Sequence, residues 1–324
     1  SSGAWTALRT RPFSRIPSPQ TEPNWIFVTA MDTNPLAADP PPIRASKAGE
    51  FSAGLSVLSR LTDGPVHLCQ DSSSVLDASN HDGVTNHVFE GPHPAGLPGT
   101  HIHFVDPVSP NKTVWFIGYQ DVIAIGHLFL HGSVLSERVV ALGGPGVSSP
   151  RLIKTCLGAN LEELTAGELE AGEQRVVSGS VLAGHTAQGH RAYLGRYHNQ
   201  VSVLAEHRER KLLGYLAPGS AVHSVFPAFL SKWIGEKSVS FTTTTNGSER
   251  GMVPIGTYDD VIPMDILATP LMKSILVGDV EKAIELGCLE LDEEDIALCT
   301  YACPGKYEFG PVLREMLTQI EKEG

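Results

Sequence analysis

The sequence of 324 residues has few cysteines and no long hydrophobic run, and both shortages exclude classes of protein. Its five cysteines are an odd number without the spacing of a disulfide framework, which favours a reducing compartment over secretion. No segment approaches the roughly 20 consecutive apolar residues that a membrane-spanning helix needs. The longest apolar region, 122–130, is interrupted by Gly126 and His127. We therefore expect any association with a membrane to be peripheral.

Positive charge is also scarce. The chain has 24 Lys and Arg against 36 Asp and Glu, which gives a formal net charge of -12. The basic residues are scattered, whereas phosphate binding needs them gathered into a patch or stripe. Nucleic acid is therefore not expected as a partner.

Several catalytic signatures are missing as well. No GxGxxG follows a strand-like segment, and the sequence contains neither a GxSxG elbow nor an HExxH pair. The glycines of ALGGPG at 141–146 fit a turn better than a phosphate cradle. Motifs alone indicate no catalytic centre.

The order of apolar segments predicts a multidomain chain of α/β and α+β type. A short apolar run at 25–28, helical spacing over 48–61 and the strand-like VHLCQ form one βαβ unit. TVWFIGYQDVIAIGHLFL continues with a strand and a helix beginning at Asp121, and ERVVALGG follows as another strand of the same domain. A linker at 148–150 closes this first domain, which we place at 1–148.

The pattern changes after the linker. Short strand-like segments and the acidic ANLEELTAGELEAGE predict a small, mostly antiparallel β domain with one short helix over 149–205. Residues 206–262 give weak signals and are predicted to be a connecting region with a few strands. Helical spacing, acidic first turns and glycine stops predict a helical domain over 263–324.

An aromatic and basic segment near the start is the first candidate site. Trp5 and Phe13 alternate with Arg9 and Arg11, a mixture that suits an anionic ligand, an aromatic headgroup or a protein partner. Arginines at such spacing on a loop are equally often solvated.

The second candidate site is a histidine group formed by His93, His101 and His103, with His87 nearby. His-x-His on a strand would place both imidazoles on one face, as a metal site requires. The glycines and prolines of 91–98 instead favour a loop shaped by backbone needs. Metal binding, contact with a ligand or partner, and a structural role remain open.

The third candidate is the pair Cys299 and Cys303, which stands beside Pro304 as cysteines do in ferredoxin-type motifs. Their spacing puts both sulfurs on one face of a helix, but a four-iron cluster needs four thiolates. Neither Cys69, Cys156 nor Cys288 completes the local motif. Helix packing is the favoured interpretation, beside a bound cluster, a transient disulfide or a metal.

Three stretches together resemble one family. They are WTALRTRPFS, VFEGPHPAGLPGTHIHF with VSVLAEHRERKLLGY downstream, and LELDEEDIALCTYACPGKYEFGPVLREMLTQIEKEG. They are similar to the A subunit of the bacterial sodium-translocating NADH:quinone reductase. The similarity extends along the chain from Gly3 to Gly324. That family also has an N-terminal domain of biotinyl-carrier type, and the sequence has no initiator Met. We therefore expect an N-terminally truncated fragment.

The resemblance implies a Rossmann-like domain over 1–148, a β-grasp domain of ligand-binding type over 149–205, and a helical domain at the end. It also implies kinship with the flavin-binding subunit of respiratory NADH dehydrogenase. Where that relative has a glycine-rich flavin loop, this chain has the bulky Trp5, Leu8 and Arg9. The flavin site is thus expected to be filled, and Cys299 and Cys303 are expected to be the remnant of a cluster motif.

A chain without flavin or cluster has no group that can carry electrons. The resemblance therefore implies that flavins, an iron-sulfur centre and NADH lie on other subunits, and that the isolated chain has no catalytic activity. We expect the chain on the cytoplasmic face of the bacterial inner membrane, bound to other subunits, especially the membrane-embedded B subunit, with ubiquinone as a candidate ligand. The expected quinone or partner contacts are Trp5, Arg9, Arg11, Phe13, His93, His101 and His103. The alternatives are a soluble flavin or iron-sulfur oxidoreductase, or a small-ligand-binding module, acting alone.

Overall fold

The computed structural model describes residues 2–72, 75–76, 81–208, 240–245 and 247–323. Residues 209–239 and 246 of the predicted connecting region lie outside the described residues. Inside that region, Thr242 forms an isolated bridge with Ala205 of the preceding strand.

A five-stranded sheet is the centre of the first half of the chain. Its strands are β1 (Arg9–Arg11), β2 (Ile26–Thr29), β3 (Val66–Asp71), β4 (Val84–Phe89) and β5 (Val114–Gly118). They lie in the order β1-β5-β2-β3-β4; only β1 is antiparallel to its neighbour. The buried parallel strand predicted at 25–28 is confirmed as β2, where an apolar run is buried on both faces of the sheet.

Four helices accompany this sheet, namely α1 (Pro40–Ala45), α2 (Ala48–Leu58), α3 (Pro98–Val105) and α4 (Tyr119–His131). The apolar positions predicted from the spacing in α2 pack into the core below β2 and β5. α2 and α4 are unusually close, because a Cβ on Gly54 would overlap the carbonyl oxygen of Val122. A Cβ on Gly126 would likewise overlap the carbonyl oxygen of Glu50. Glycine at both crossings lets the two helix backbones touch.

The interpretation of His-x-His as part of a strand is wrong, because His101 and His103 lie in α3. Pro98 stands at the first helical position, where its fixed φ and missing N–H favour helix initiation. Residues two apart on a helix point about 200° away from each other. The two imidazoles therefore face different surroundings instead of sharing one face.

A second five-stranded sheet follows. It is formed by β6 (Glu137–Gly143), β7 (Arg151–Cys156), β8 (Gln174–Ser178), β9 (His185–Thr186) and β10 (Gln200–Ala205), in the order β7-β6-β10-β8-β9. β6 and β10 are parallel and the other neighbours are antiparallel. The sequence predicts a mostly antiparallel domain here, but without β6. The predicted short helix is α5 (Leu161–Leu164), and the side chain of Asn160 caps it by accepting a hydrogen bond from the Glu162 N–H.

The placement of ERVVALGG in the first sheet is corrected by the structure, since this segment is β6 of the second sheet. Val140 and Leu142 of β6 are buried beside Val201 and Val203 of β10. The alternation of apolar residues identified the strand but carried no information about which sheet would receive it. The second sheet thus begins before the predicted linker at 148–150.

The last part of the chain is helical, with α6 (Ala268–Val277), α7 (Val280–Glu285), α8 (Ala297–Ala302) and α9 (Phe309–Glu323). These helices enclose a separate core that includes Tyr258, Met272 and Phe309. Gly278 ends α6 with a φ of 73°, the left-handed conformation that glycine adopts without strain. Within the described ranges, no helix combines the length and the apolar composition needed to cross a bilayer.

Candidate functional site

A cleft lies where β2 and β5 end, at the point where the order of the parallel strands reverses. β2 has β3 on one side and β5 on the other, and open α/β sheets bind ligands at the carboxyl ends of such strands. The cleft measures about 120 Å³. Its polar lining consists of Arg9, Thr29, Asp32, Asn34, Tyr119, Asp121, Tyr197, Asn199 and Glu294.

Arg9 stands at one wall of this cleft, between two aromatic rings. Its guanidinium carbon lies 4.5 Å from the ring centre of Phe116 and 4.4 Å from that of Tyr197. Its terminal nitrogens lie 4.0 Å from an Asp292 oxygen and 3.9 Å from a Glu294 oxygen. The cation is therefore held by ring faces and by carboxylates of the C-terminal part of the chain.

Arg11 lies two residues further along β1, where it is completely buried. Its Nη1 donates hydrogen bonds to Asp295 Oδ2 at 2.9 Å and to the carbonyl oxygen of Glu290 at 3.2 Å. Its Nη2 lies 3.7 Å from Asp292 and 3.6 Å from Glu294. The structure thus directs Arg11 into the protein, where it connects the first sheet to the helical part.

The acidic run Asp292–Asp295 surrounds these arginines, and the pKa values of its carboxyl groups are shifted in opposite directions. Burial, aided by repulsion from Asp295 and Asp292, raises the pKa of Glu294 to about 7, although Arg9 acts in the opposite direction. Burial alone would also raise the pKa of Asp292, but the charge of Arg11 and a hydrogen bond with the Glu293 side chain hold it well below its usual range. The cleft therefore has, at its edge, one carboxyl group that changes protonation near neutral pH.

Two further groups in the cleft have altered acidity. Burial raises the pKa of Asp32, and this effect exceeds the opposite effect of two hydrogen bonds that Asn34 donates to its carboxylate. Burial also raises the pKa of Tyr119, and the nearby charge of Asp32 adds to this effect. Neither residue is among those predicted from the sequence, although each closely follows a predicted strand, and ligand-binding residues concentrate at that position.

Trp5 and Phe13, predicted as ligand contacts, pack against the protein. The Trp5 Nε1–H donates to the carbonyl oxygen of Pro17 at 2.8 Å, and its ring meets that of Trp115 edge to face at 5.5 Å. Phe13 packs on the C-terminal core, and its carbonyl oxygen accepts a hydrogen bond from Arg314 at 2.7 Å. Neither side chain lines the cleft.

The histidines of the second candidate site are not brought together. His93 Nδ1 lies 3.3 Å from Thr33 Oγ1, and buried His101 has its Nε2 3.0 Å from the carbonyl oxygen of Ala95. Burial lowers the pKa of His93 to about 4 and that of His101 to about 3. Both imidazoles are therefore neutral at physiological pH.

His103 is held between two segments of the C-terminal part. The Asp265 N–H donates to His103 Nε2 at 3.0 Å, so Nδ1 carries the proton and donates to the Glu290 carboxylate at 2.7 Å. His87 pairs with His67, their nitrogens 2.9 Å apart. None of these histidines belongs to a three-ligand group among the described residues.

Cys299 and Cys303 are fully buried free thiols in the helical core. Cys299 lies in α8, whereas Cys303 follows its last residue and has an extended backbone. The Cys303 sulfur lies 3.1 Å from the Tyr258 hydroxyl and accepts from the Tyr307 N–H at 3.5 Å. Burial, with a contribution from Cys303, raises the pKa of Cys299 to about 12, so it is a protonated thiol at neutral pH. In the part of the chain that the structure describes, no metal-ligand group of three includes either sulfur.

Comparisons with known proteins place the whole chain beside one set of relatives. Residues 1–134 match the family model described as "NqrA second alpha/beta domain", and residues 139–189 match "NQRA C-terminal domain". The A subunit of the Na(+)-translocating NADH-quinone reductase of Klebsiella pneumoniae is 59% identical over 323 residues, covering 100% of this chain and 72% of the relative. The same subunit of Saccharophagus degradans is 58% identical with equal coverage. Among solved structures, an NAD+-reducing [NiFe]-hydrogenase in the H2-reduced state aligns with a TM-score of 0.42 and 12% identity, covering 57% of this chain and 41% of that chain.

Proposed function

Because the chain belongs to the NqrA family, the A subunits of the Na(+)-translocating NADH-quinone reductases, we propose that it acts in such a complex without a redox group of its own. The complex oxidises NADH, reduces ubiquinone and exports Na+, and this subunit contributes to quinone binding or to docking. We place it on the cytoplasmic face of the inner membrane, where its main partner is the membrane-embedded B subunit. Flavins, the iron-sulfur centre and NADH belong to the other subunits.

The narrow cleft at the strand ends is the observation that carries this proposal. Sites for cofactors and drug-sized ligands usually measure roughly 300–1,000 Å³, whereas this cleft measures about 120 Å³. Arg9, held between Phe116 and Tyr197, occupies one wall. A cleft of this size is smaller than sites that enclose a whole flavin, which supports a role in binding and coupling.

The arrangement of strands supports two finer proposals about the fold. The parallel order β5-β2-β3-β4, with its reversal beside β2, supports a Rossmann-like unit within the predicted range 1–148 that ends with α4, because β6 belongs to the second sheet. The second sheet, with α5 against it, is proposed to be a β-grasp unit of ligand-binding type. The helical part from 263 onward is proposed to be the third domain, with 206–262 as the connection.

Exposed apolar side chains at the end of α4 support a docking role. Phe129, Leu130 and Val134 have exposed fractions of 67%, 55% and 59%. The three residues lie within six positions of one another in the chain, and an exposed apolar patch is typical of a contact with another protein. We propose that a neighbouring subunit of the complex covers them.

Two measurements on the assembled complex test these roles. For quinone binding, Arg9→Met is compared with Arg60→Met, an exposed arginine on the turn after α2. Steady-state kinetics with a short-chain ubiquinone should give a higher KM for the Arg9 variant alone. For docking, Phe129→Ser should reduce co-purification of this chain with the other subunits.

Kinetics and co-purification both unchanged in these variants would overturn the proposal. A visible flavin or iron-sulfur absorbance of the purified chain would also contradict it, since the chain would then be an oxidoreductase in its own right. A raised KM in the Arg9 variant together with unchanged co-purification of the Phe129 variant would support quinone binding at the cleft. It would also show that the patch at the end of α4 does not dock a subunit.

A further inference from the structure

Three potential metal ligands meet where α2 begins and α4 ends. Glu50 lies in the first turn of α2, while His127 and His131 lie one turn apart near the end of α4. One ligand atom from each residue lies within 4.8 Å of the other two. Among the residues described, this is the only group of three His, Cys, Asp or Glu side chains with that property.

The backbone contact between the two helices fixes the separation of these residues. Gly126, which immediately precedes His127, has no side chain, so the backbone of α4 can touch the carbonyl oxygen of Glu50. The i, i+4 spacing on α4 then puts His131 on the same face as His127. Their ring centres are 4.5 Å apart. The ligand set is therefore positioned by helix packing and does not depend on a loop.

The hydrogen bonds of His127 leave one ring nitrogen available. Its Nε2 lies 3.2 Å from the Ser133 hydroxyl, and its Nδ1 is buried without a hydrogen-bond partner, 3.9 Å from Glu50 Oε1. If Nε2–H donates to Ser133, Nδ1 keeps its lone pair. Metal-binding histidines commonly donate their other N–H to an oxygen in this way, which fixes the tautomer.

We propose that Glu50, His127 and His131 bind one divalent transition-metal ion of the zinc class. Two imidazole nitrogens and one carboxylate oxygen suit Zn2+ and its neighbours better than Mg2+ or Ca2+, which prefer oxygen ligands. Ligand bonds of roughly 2.0–2.1 Å place tetrahedral ligand atoms about 3.3 Å apart. The present 3.9 Å between His127 Nδ1 and Glu50 Oε1, and the other separations of up to 4.8 Å, must therefore shorten when the ion binds.

In the isolated chain the site is open to solvent, and it is distinct from the cleft. His131 is exposed, which leaves the fourth coordination position to water. Tyr119 at the cleft and His127 are eight residues apart on α4, which corresponds to about 12 Å along the helix. A metal here would clamp α2 to α4. Lys47, whose Nζ lies 3.9 Å from Glu50 Oε1, competes for the carboxylate.

The test is calorimetric titration of the untagged chain with Zn2+. A Cys156→Ser background removes the exposed thiol, which could bind zinc by itself. We expect one ion per chain, and at least about tenfold weaker binding in His127→Ala, His131→Ala and Glu50→Gln. His190→Ala, an exposed histidine elsewhere, should bind as the parent does.

A variant that fails to fold would also lose zinc binding, so thermal unfolding provides a second measurement. Zn2+ should raise the thermal midpoint of the parent but not of His131→Ala, whose exposed side chain can be removed with little effect on packing. Mg2+ should not reproduce the rise. Absence of binding in the parent, or binding unaffected by both His127→Ala and His131→Ala, would overturn the proposal.

Discussion

Replacing Arg11 by methionine should destabilise the protein far more than removing an exposed arginine. The Arg11 side chain has no exposed surface, and its main partner, Asp295, has a side-chain exposure of 1%. Methionine fills a similar volume but supplies neither the charge nor the two hydrogen bonds to Asp295 and the Glu290 carbonyl oxygen. The variant therefore leaves carboxylates without their cation inside the protein.

The magnitude follows from burial. Removing one partner of a buried ion pair costs about 3–5 kcal/mol, because the remaining charge stays desolvated and uncompensated. Asp292 keeps Arg9 and Arg314 as partners, but Asp295 loses its only ion-pair contact within the described ranges. We expect a loss near the lower end, about 3 kcal/mol. Added salt should change it little, since buried pairs are weakly screened.

Arg15→Met is the matched control. Arg15 also joins the N-terminal segment to the helical part, through Glu321 of α9 at 2.6 Å, but its side chain is 48% exposed. An exposed pair contributes about 1 kcal/mol or less. Urea unfolding at pH 7, followed by tryptophan fluorescence and far-UV circular dichroism, gives the free energy of unfolding for each variant.

A double variant isolates the charge effect. Asp295→Asn added to Arg11→Met removes the uncompensated carboxylate and should recover part of the loss. The reasoning is refuted if Arg11→Met is no more destabilising than Arg15→Met. It is also refuted if the double variant unfolds as easily as Arg11→Met, because the loss would then come from packing alone.

Two further predictions concern packing and pH. Gly126→Ala should cost several kcal/mol, in excess of the roughly 1–3 kcal/mol of ordinary overpacking, because its Cβ would overlap the Glu50 carbonyl oxygen. Gly49→Ala, whose Cβ meets nothing within 4 Å on α2, should be neutral or stabilise by about 0.5–1 kcal/mol, as thermal unfolding would show. Glu294 has its pKa raised from 4.5 to about 7, so the folded protein binds a proton that the unfolded chain releases between those values. Stability should therefore fall as pH rises from 5 to 8, by up to roughly 3 kcal/mol, and Glu294→Gln should flatten this part of the unfolding profile.

Local pattern was sufficient to predict elements whose own apolar residues face a core. β2 is an apolar run followed by turn residues, β3 is a short segment led by alternating apolar residues, and α2 has its apolar residues at helical spacing. These features depend only on which residues of one segment face a core, so they can be predicted from the sequence of that segment alone. β6 instead belongs to the second sheet, where it lies between β7 and β10, a strand about 60 residues later, and the apolar pattern of β6 alone does not identify these partners.

The histidines show a second limit of the sequence. The sequence suggests a strand for the segment that holds His101 and His103, and the prolines and glycines before it favour a loop. The structure uses Pro98 to begin a helix, and this sends His101 into the core and His103 towards Glu290. Cys299 and Cys303, in contrast, occupy the packed positions that the base rate for cysteine favours.

The arginines of β1 explain why ligand-binding chemistry in a sequence need not indicate a ligand. Arg9 and Arg11 have the charge and spacing of an anion site, but the protein provides the anion itself, in the run Asp292–Asp295. Glu294 of that run also lines the cleft, so the helical part both completes the cleft wall and balances its charge. A movement of the helical part would therefore expose a cation at the strand ends, and protonation of Glu294 would weaken its hold on Arg9. For a protein proposed to couple its neighbours without carrying electrons, this internal ion-pair network is the element on which a partner or a bound quinone could act.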